Sequence, residues 1–199
     1  MSAEQDLAYA SIASVAELVQ RKEISPVELT ERTLAWIEAI DPKINSFYTV
    51  FREEAVAAAR NAEAEIRQGQ YRGPLHGIPI GIKDIYQCGP TTCGSKTLKD
   101  YVAPADCTAV AKLKQAGAVV LGKNATYEFA YGFPTLKSYY KPARNPWNLA
   151  YDPGGSSSGS GLPSRPGWLM PAWGRAPEDR SAGRPSVAGS WDSRRPMDE

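Results

Sequence analysis

Apolar positions recur at helical spacing near the start of the chain. Leu7, Ile12, Val15, Leu18 and Val19 follow one another at intervals that predict a helix over 7–21. The next segment, EISPVELTERTLAWIEAI, carries its own start signals. Ser25 is placed to be the N-cap, Pro26 to occupy the first helical position and Glu28 to close a capping box. Leu29, Leu34, Ile37 and Ile40 continue its apolar face, and Asp41-Pro42 is expected to stop it, because proline disfavours helical geometry in the residue before it. Residues 45–50, NSFYTV, read as a short strand. EEAVAAARNAEAEIRQG, rich in strong helix formers and ending on Gly69, reads as a helix.

The pattern then becomes α/β. GPLHGIPIGIKDIY predicts a strand over 78–82. ADCTAVAKLKQAGAVVLGKNA predicts a helix ending near Gly117 that feeds a buried strand, AVVLG. A helix running straight into an apolar strand points to an open sheet covered by helices. The composition changes after Gly161. From there to Glu199 no Lys, Ile, Thr, Tyr, Phe, Asn, Gln, His or Cys occurs, and neither helical nor strand periodicity survives. The expected organisation is one α/β unit over 1–160 and an irregular, disordered tail over 161–199.

Bulk properties narrow the function classes. The 199 residues suit one domain or a piece of a larger one, and 42% hydrophobic with 23% charged residues is ordinary for a globular protein. A formal net charge of +1 gives no global field for nucleic acid or an anionic membrane. The start, MSAEQDLAYA, lacks a secretory pattern, and no apolar run approaches the ~20 residues of a membrane helix. Cys88, Cys93 and Cys107 show no CxxC spacing and read as free thiols of a reducing, cytoplasmic compartment.

Few residues could carry chemistry. His76, the single histidine, sits just before an apolar strand and reads as a hydrogen-bonded structural residue rather than a triad member. No His, Cys and carboxylate set has metal-ligand spacing, so no metal or cofactor is expected. Lys83 follows IPIGI, at or near the end of a buried strand. Lost solvation would lower its pKa and make it a general base; alternatively it snorkels to solvent or pairs with Asp84. Ser156, Ser157 and Ser158, in PGGSSSGS, could present hydroxyls and backbone N–H groups to an oxyanion, or form a flexible linker. GKNA at 122–125 makes neither a Walker motif nor a dinucleotide fingerprint.

Taken in order, GPLHGIPIGIKD, TAVAKLKQAGAVVLGKNATYEFAYG, RNPWN and PGGSSSGS resemble the amidase signature family over residues 7–160. The resemblance implies the N-terminal part of an open mixed sheet covered by helices, and cleavage of carboxamides by a Ser–Ser–Lys triad without histidine. Lys83 matches the family's general-base lysine and Ser156 its bridging serine, with Gly154, Gly155, Ser157 and Ser158 supporting the substrate and oxyanion loop. A small amide is the implied substrate. The family also includes the glutaminase-type (A-type) subunit of tRNA-dependent amidotransferases, which would add partner subunits. A non-catalytic binding or scaffold protein is the alternative from another class.

The family's nucleophile lies in a G-T-D-x-G-G-S-[IV]-R segment about two dozen residues beyond the bridging serine. This chain reads APEDRSAGRP there, and the family's spacing from Ser156 falls on Arg180. The nucleophile is therefore absent, and the chain is expected to be a truncated, inactive member. The tail reads as an off-frame translation. Rebuilding each codon from the last base of one and the first two of the next forces glycine opposite Gly174, Asp192 and Asp198, because Trp and Met codons end in G. All three fall on family glycines. The aspartate of the family's segment cannot be recovered opposite Ala176. A one-base slip near codons 155–161 is the expected origin.

Overall fold

The computed structural model describes residues 10–132, 137–161 and 172–173. The first helix, α1 (Ile12–Gln20), starts at Ser11, whose hydroxyl accepts from the Ser14 N–H at 3.1 Å. The residues before 10, where the sequence pattern began this helix, lie outside the described part. Helix α2 (Pro26–Ile44) begins at Ser25, the expected N-cap, whose Oγ accepts from the amides of Val27 and Glu28, while the Glu28 carboxylate pairs with Arg32 at 2.7 Å. It does not stop at Asp41. Pro42 is accommodated inside the last turn, and Asn45 ends the helix in the left-handed conformation. The Asp41 carboxylate then reaches forward to the amides of Ser46 and Phe47 and the Ser46 hydroxyl, which fastens the turn into the sheet.

Strand β1 (Phe47–Val50), helix α3 (Arg52–Arg67), strand β2 (Pro79–Lys83), helix α4 (Thr108–Gln115) and strand β3 (Val119–Asn124) follow. Two short 3-10 turns (Lys96–Leu98 and Glu128–Ala130), a single helical turn, α5 (Ser158–Gly161), and a two-residue strand, β4 (Ala172–Trp173), are the other described elements. The sheet order is β1-β3-β2-β4. β3 is antiparallel to β1 and parallel to β2, and β4 runs parallel to β2. The open mixed sheet expected from the sequence is therefore present. β4 was not legible in the tail, since two residues carry no period; they pair with the backbone of β2, which would otherwise be an open edge. The remaining expectation of a disordered tail, and Arg180 with it, falls outside the described residues.

Two apolar clusters hold the layers. Ile78, Ile80 and Ile82 of the β2 segment pack with Val15 and Val19 of α1, Leu29 of α2 and Val110 and Leu113 of α4. Val119 and Leu121 of β3 pack with Leu34 and Ile37 of α2, Ala55 and Ala59 of α3 and Phe47. The small alanines let α3 approach the sheet closely. The register between β2 and β3 slips between Ile80 and Gly81, so that Ile82 pairs with Lys123 and Lys83 with Asn124. That bulge sends Lys123 away from the Val119–Leu121 face.

Candidate functional site

Lys83 is the last residue of β2, at the carboxyl end of the parallel pair β2–β3. Open α/β sheets place ligands at this end of their strands, where loops meet without completing the backbone ladder. Burial leaves the side chain only 4% exposed and pushes its pKa down by desolvation. Its Nζ lies 2.7 Å from Ser156 Oγ, across 73 residues of sequence. Of the alternatives open for this lysine, snorkelling does not occur, and Asp84 pairs with Lys123 instead.

The serine-glycine segment is not a linker. The Ser156 carbonyl accepts from the Thr126 hydroxyl at 2.9 Å and the Tyr127 amide at 3.0 Å. The Gly159 amide donates to the Ala125 carbonyl at 2.8 Å, which docks α5 on the strand end. A Cβ at Gly159 would stand 2.2 Å from the Ser46 carbonyl oxygen, so this contact admits only glycine. Gly155 lies against the Tyr127 ring, and the peptide between it and Ser156 is cis. Gly154, with φ +88°, donates its amide to Asp152 Oδ1, which also accepts from the Tyr127 hydroxyl at 2.9 Å. The Ser157 carbonyl accepts from the Ser160 amide at 3.0 Å, inside the helical turn. Ser158 is buried and lines a cavity of about 310 Å³ with Tyr48, Tyr127, Phe129 and Tyr140. Burial pushes the Tyr48 phenol up to about 12, so it stays protonated and donates to the Thr126 carbonyl at 2.7 Å.

His76 stands at the other end of β2, before Pro79, and is separated from Lys83 by the length of the strand. Its Nδ1 accepts from the Arg72 amide at 3.1 Å, and Nε2 faces Glu65 Oε2 at 3.1 Å. Burial lowers its pKa. These contacts agree with the structural role read from the sequence. Among the described residues no group of three or more His, Cys, Asp or Glu side chains could hold a metal ion.

Several supporting contacts escaped the sequence reading. Beside Lys83, Asp84 accepts from the Thr92 amide at 3.0 Å and from the Thr92 hydroxyl. Lys123 donates to the Tyr86 carbonyl and to Thr91 Oγ1, the latter at 2.9 Å. Alternation along AVVLGKN gave no sign that Lys123 would face Asp84, because the bulge that turns it is invisible in a hydropathy pattern. Thr126, Tyr127 and Asp152, which hold the Ser156 loop, lie in segments without periodicity.

Relatives match this region of the chain. The A-type subunit of the glutamyl-tRNA(Gln) amidotransferase of Geobacter metallireducens is 51% identical over 152 residues, which is 75% of this chain and 31% of that protein. The corresponding protein of Carboxydothermus hydrogenoformans is 46% identical over 157 residues, 78% of this chain and 32% of the relative. The chain thus spans about a third of the length of these curated relatives. Among solved structures, the peptide amidase of Stenotrophomonas maltophilia superposes with a TM-score of 0.70 at 34% identity, covering 77% of this chain and 33% of that one. A bacterial aryl acylamidase superposes at 0.72 with 33% identity, over 78% of this chain and 33% of its own. Among the described residues no helix is long and apolar enough to cross a membrane. The amidase family model matches residues 28–162, ending where the composition changes, and the chain belongs to that family.

Proposed function

We propose that this chain supplies the base half of a Ser–Ser–Lys amidase site, with Lys83 as general base and Ser156 as the bridging serine. The observation that carries this reading is the 2.7 Å contact between a buried lysine amine and a serine hydroxyl on a rigidly anchored loop. Desolvation shifts the Lys83 amine toward its neutral form, whose electron pair can take the Ser156 proton. Ser156 would in turn take the proton of a nucleophilic serine attacking a small carboxamide. The C–N bond breaks as the amine leaves with a proton, and water or another acceptor releases the acyl group. Gly154, Gly155, Ser157 and Ser158 shape the loop beside the reacting carbonyl. The residues around Arg180 do not supply the nucleophile, so the chain as it stands does not turn over amides. Loss of one member of such a unit removes nearly all catalysis.

A one-base slip in the gene explains why the family match ends at residue 162. The test is to sequence codons 150–199 from independent DNA and to assay ammonia release from simple carboxamides and glutamine. The 199-residue chain is expected to equal its Lys83→Ala variant. The product of a gene with the frame restored is expected to be active and to lose activity on Lys83→Ala. A folded, frame-restored protein whose activity ignores Lys83 would overturn the assignment. The second reading, a glutaminase-type subunit working with partner subunits, is favoured by the 51% identity to an amidotransferase relative, against 34% to the peptide amidase. Glutamine turnover only after adding partner subunits would select it.

A further inference from the structure

Two lysines and one carboxylate meet at the carboxyl end of the β2–β3 pair, and the sharing among them is uneven. Asp84 directly follows Lys83, and both it and Lys123 are fully buried. Lys123 Nζ stands 3.5 Å from Asp84 Oδ1 and donates to Tyr86 and Thr91. Among the described residues no carboxylate forms an ion pair with Lys83. A buried carboxylate beside a buried amine would ordinarily pair with it and hold it protonated, which is the opposite of what a base needs.

We propose that Lys123 is a positioning residue for Lys83: by engaging Asp84 it keeps that carboxylate from pairing with Lys83, whose amine is left to Ser156. The inference rests on the roles proposed above for Lys83 and Ser156. The β2–β3 bulge makes the arrangement, since it moves Lys123 into register with Ile82 and onto the Asp84 side of the sheet. Burial works against both charges of the pair, raising Asp84 and lowering Lys123. The Thr92 amide and hydroxyl and the Lys123 charge act in the opposite direction on Asp84, and Asp84 does the same for Lys123, each favouring the ionised form. The other titratable groups acting on the pair are Tyr48, Cys88, Cys93 and Tyr140, with Asp106 and Lys114 near Cys88 already paired at 2.7 Å. The same network extends toward the segment that holds the serine loop: the Cys93 amide donates to the Asp84 carbonyl at 3.0 Å, the Phe129 amide to the Cys93 carbonyl at 2.8 Å, and two residues earlier the Tyr127 amide to the Ser156 carbonyl at 3.0 Å.

The experiment follows the titration of Lys83 by NMR of the full chain labelled at the lysine Cε, with the resonance assigned by its loss in Lys83→Met. Lys123→Met is expected to raise the Lys83 midpoint by about one to two pH units, the effect of one uncompensated neighbouring charge. Adding Asp84→Asn is expected to bring it back to within about half a unit of the wild type. A role in packing alone would not be reversed by removing the second charge, so a rise that persists in the double variant overturns the inference. So does a folded Lys123→Met protein with an unchanged midpoint. If circular dichroism shows Lys123→Met unfolded, the near-isosteric Asp84→Asn is read instead. It is expected not to raise the midpoint, and a rise refutes the proposal. Wild-type Lys83 titrating as an ordinary lysine would sink the base assignment itself, an outcome distinct from these.

Discussion

Replacing Lys83 with methionine should make the protein more stable at neutral pH and less stable in strong base. Methionine fills similar space without a charge. In the wild type the folded state holds an amine whose pKa burial has lowered, while the unfolded chain titrates near the ordinary lysine value. Between those two values the unfolded state binds more protons than the folded one. Stability contributed at this site therefore rises with pH, by at most one proton, or about 1.4 kcal/mol per pH unit. Below the folded value the cost is constant; above about pH 10.5 it vanishes. What remains is the contact with Ser156, 2.7 Å long, whose net worth is about 1 kcal/mol. The wild type should then lead by roughly that amount. Urea unfolding of both proteins, followed by circular dichroism from pH 7 to pH 10.5 and just beyond, reads the difference directly. Parallel curves with no crossing would show that Lys83 titrates alike in both states and would refute the argument.

Three further outcomes are expected. Gly159→Ala forces a methyl to within 2.4 Å of the Ala125 backbone nitrogen as well as against Ser46, and neither neighbour is a flexible side chain. It should cost about 2 kcal/mol or more in chemical denaturation, and a loss under half that would mean that α5 is not docked as described. His76 has a lowered pKa, so the unfolded chain takes up a proton that the buried ring refuses. Stability should fall as pH drops below about 6.5, and His76→Gln should flatten that slope by up to ~1.4 kcal/mol per unit. Phe129, Tyr131 and Trp147 are each more than half exposed. Size-exclusion chromatography of the isolated chain should therefore show association; a monodisperse monomer that unfolds cooperatively would favour a self-sufficient binding protein.

The sequence was most legible where local chemistry and tertiary structure agree. Ser25 and Pro26 announced α2, and the apolar run over 78–82 announced a buried strand with Lys83 at or near its end. It was less legible where a distant residue decides. Pro42 looked like a stop, yet Asp41 holds the chain together across the next turn by bonds to Ser46 and Phe47. The pairing of Lys83 with Ser156 came from the family pattern, because 73 residues of separation carry no periodic signal. Lys123 was hidden for a different reason. A one-residue bulge reverses which face a side chain takes, and hydropathy alternation assumes that no such slip occurs.

The order of the parts along the chain has a consequence for synthesis. Strands β2 and β3, the bulge between them, the Asp84–Lys123 pair and the serine turn all lie between residues 79 and 161. A ribosome delivers them before anything encoded further on. On the roles proposed for Lys83 and Ser156, the base can therefore be walled off from water early in synthesis. At that stage the proposed base has nothing to activate, and its buried amine waits idle beside Ser156.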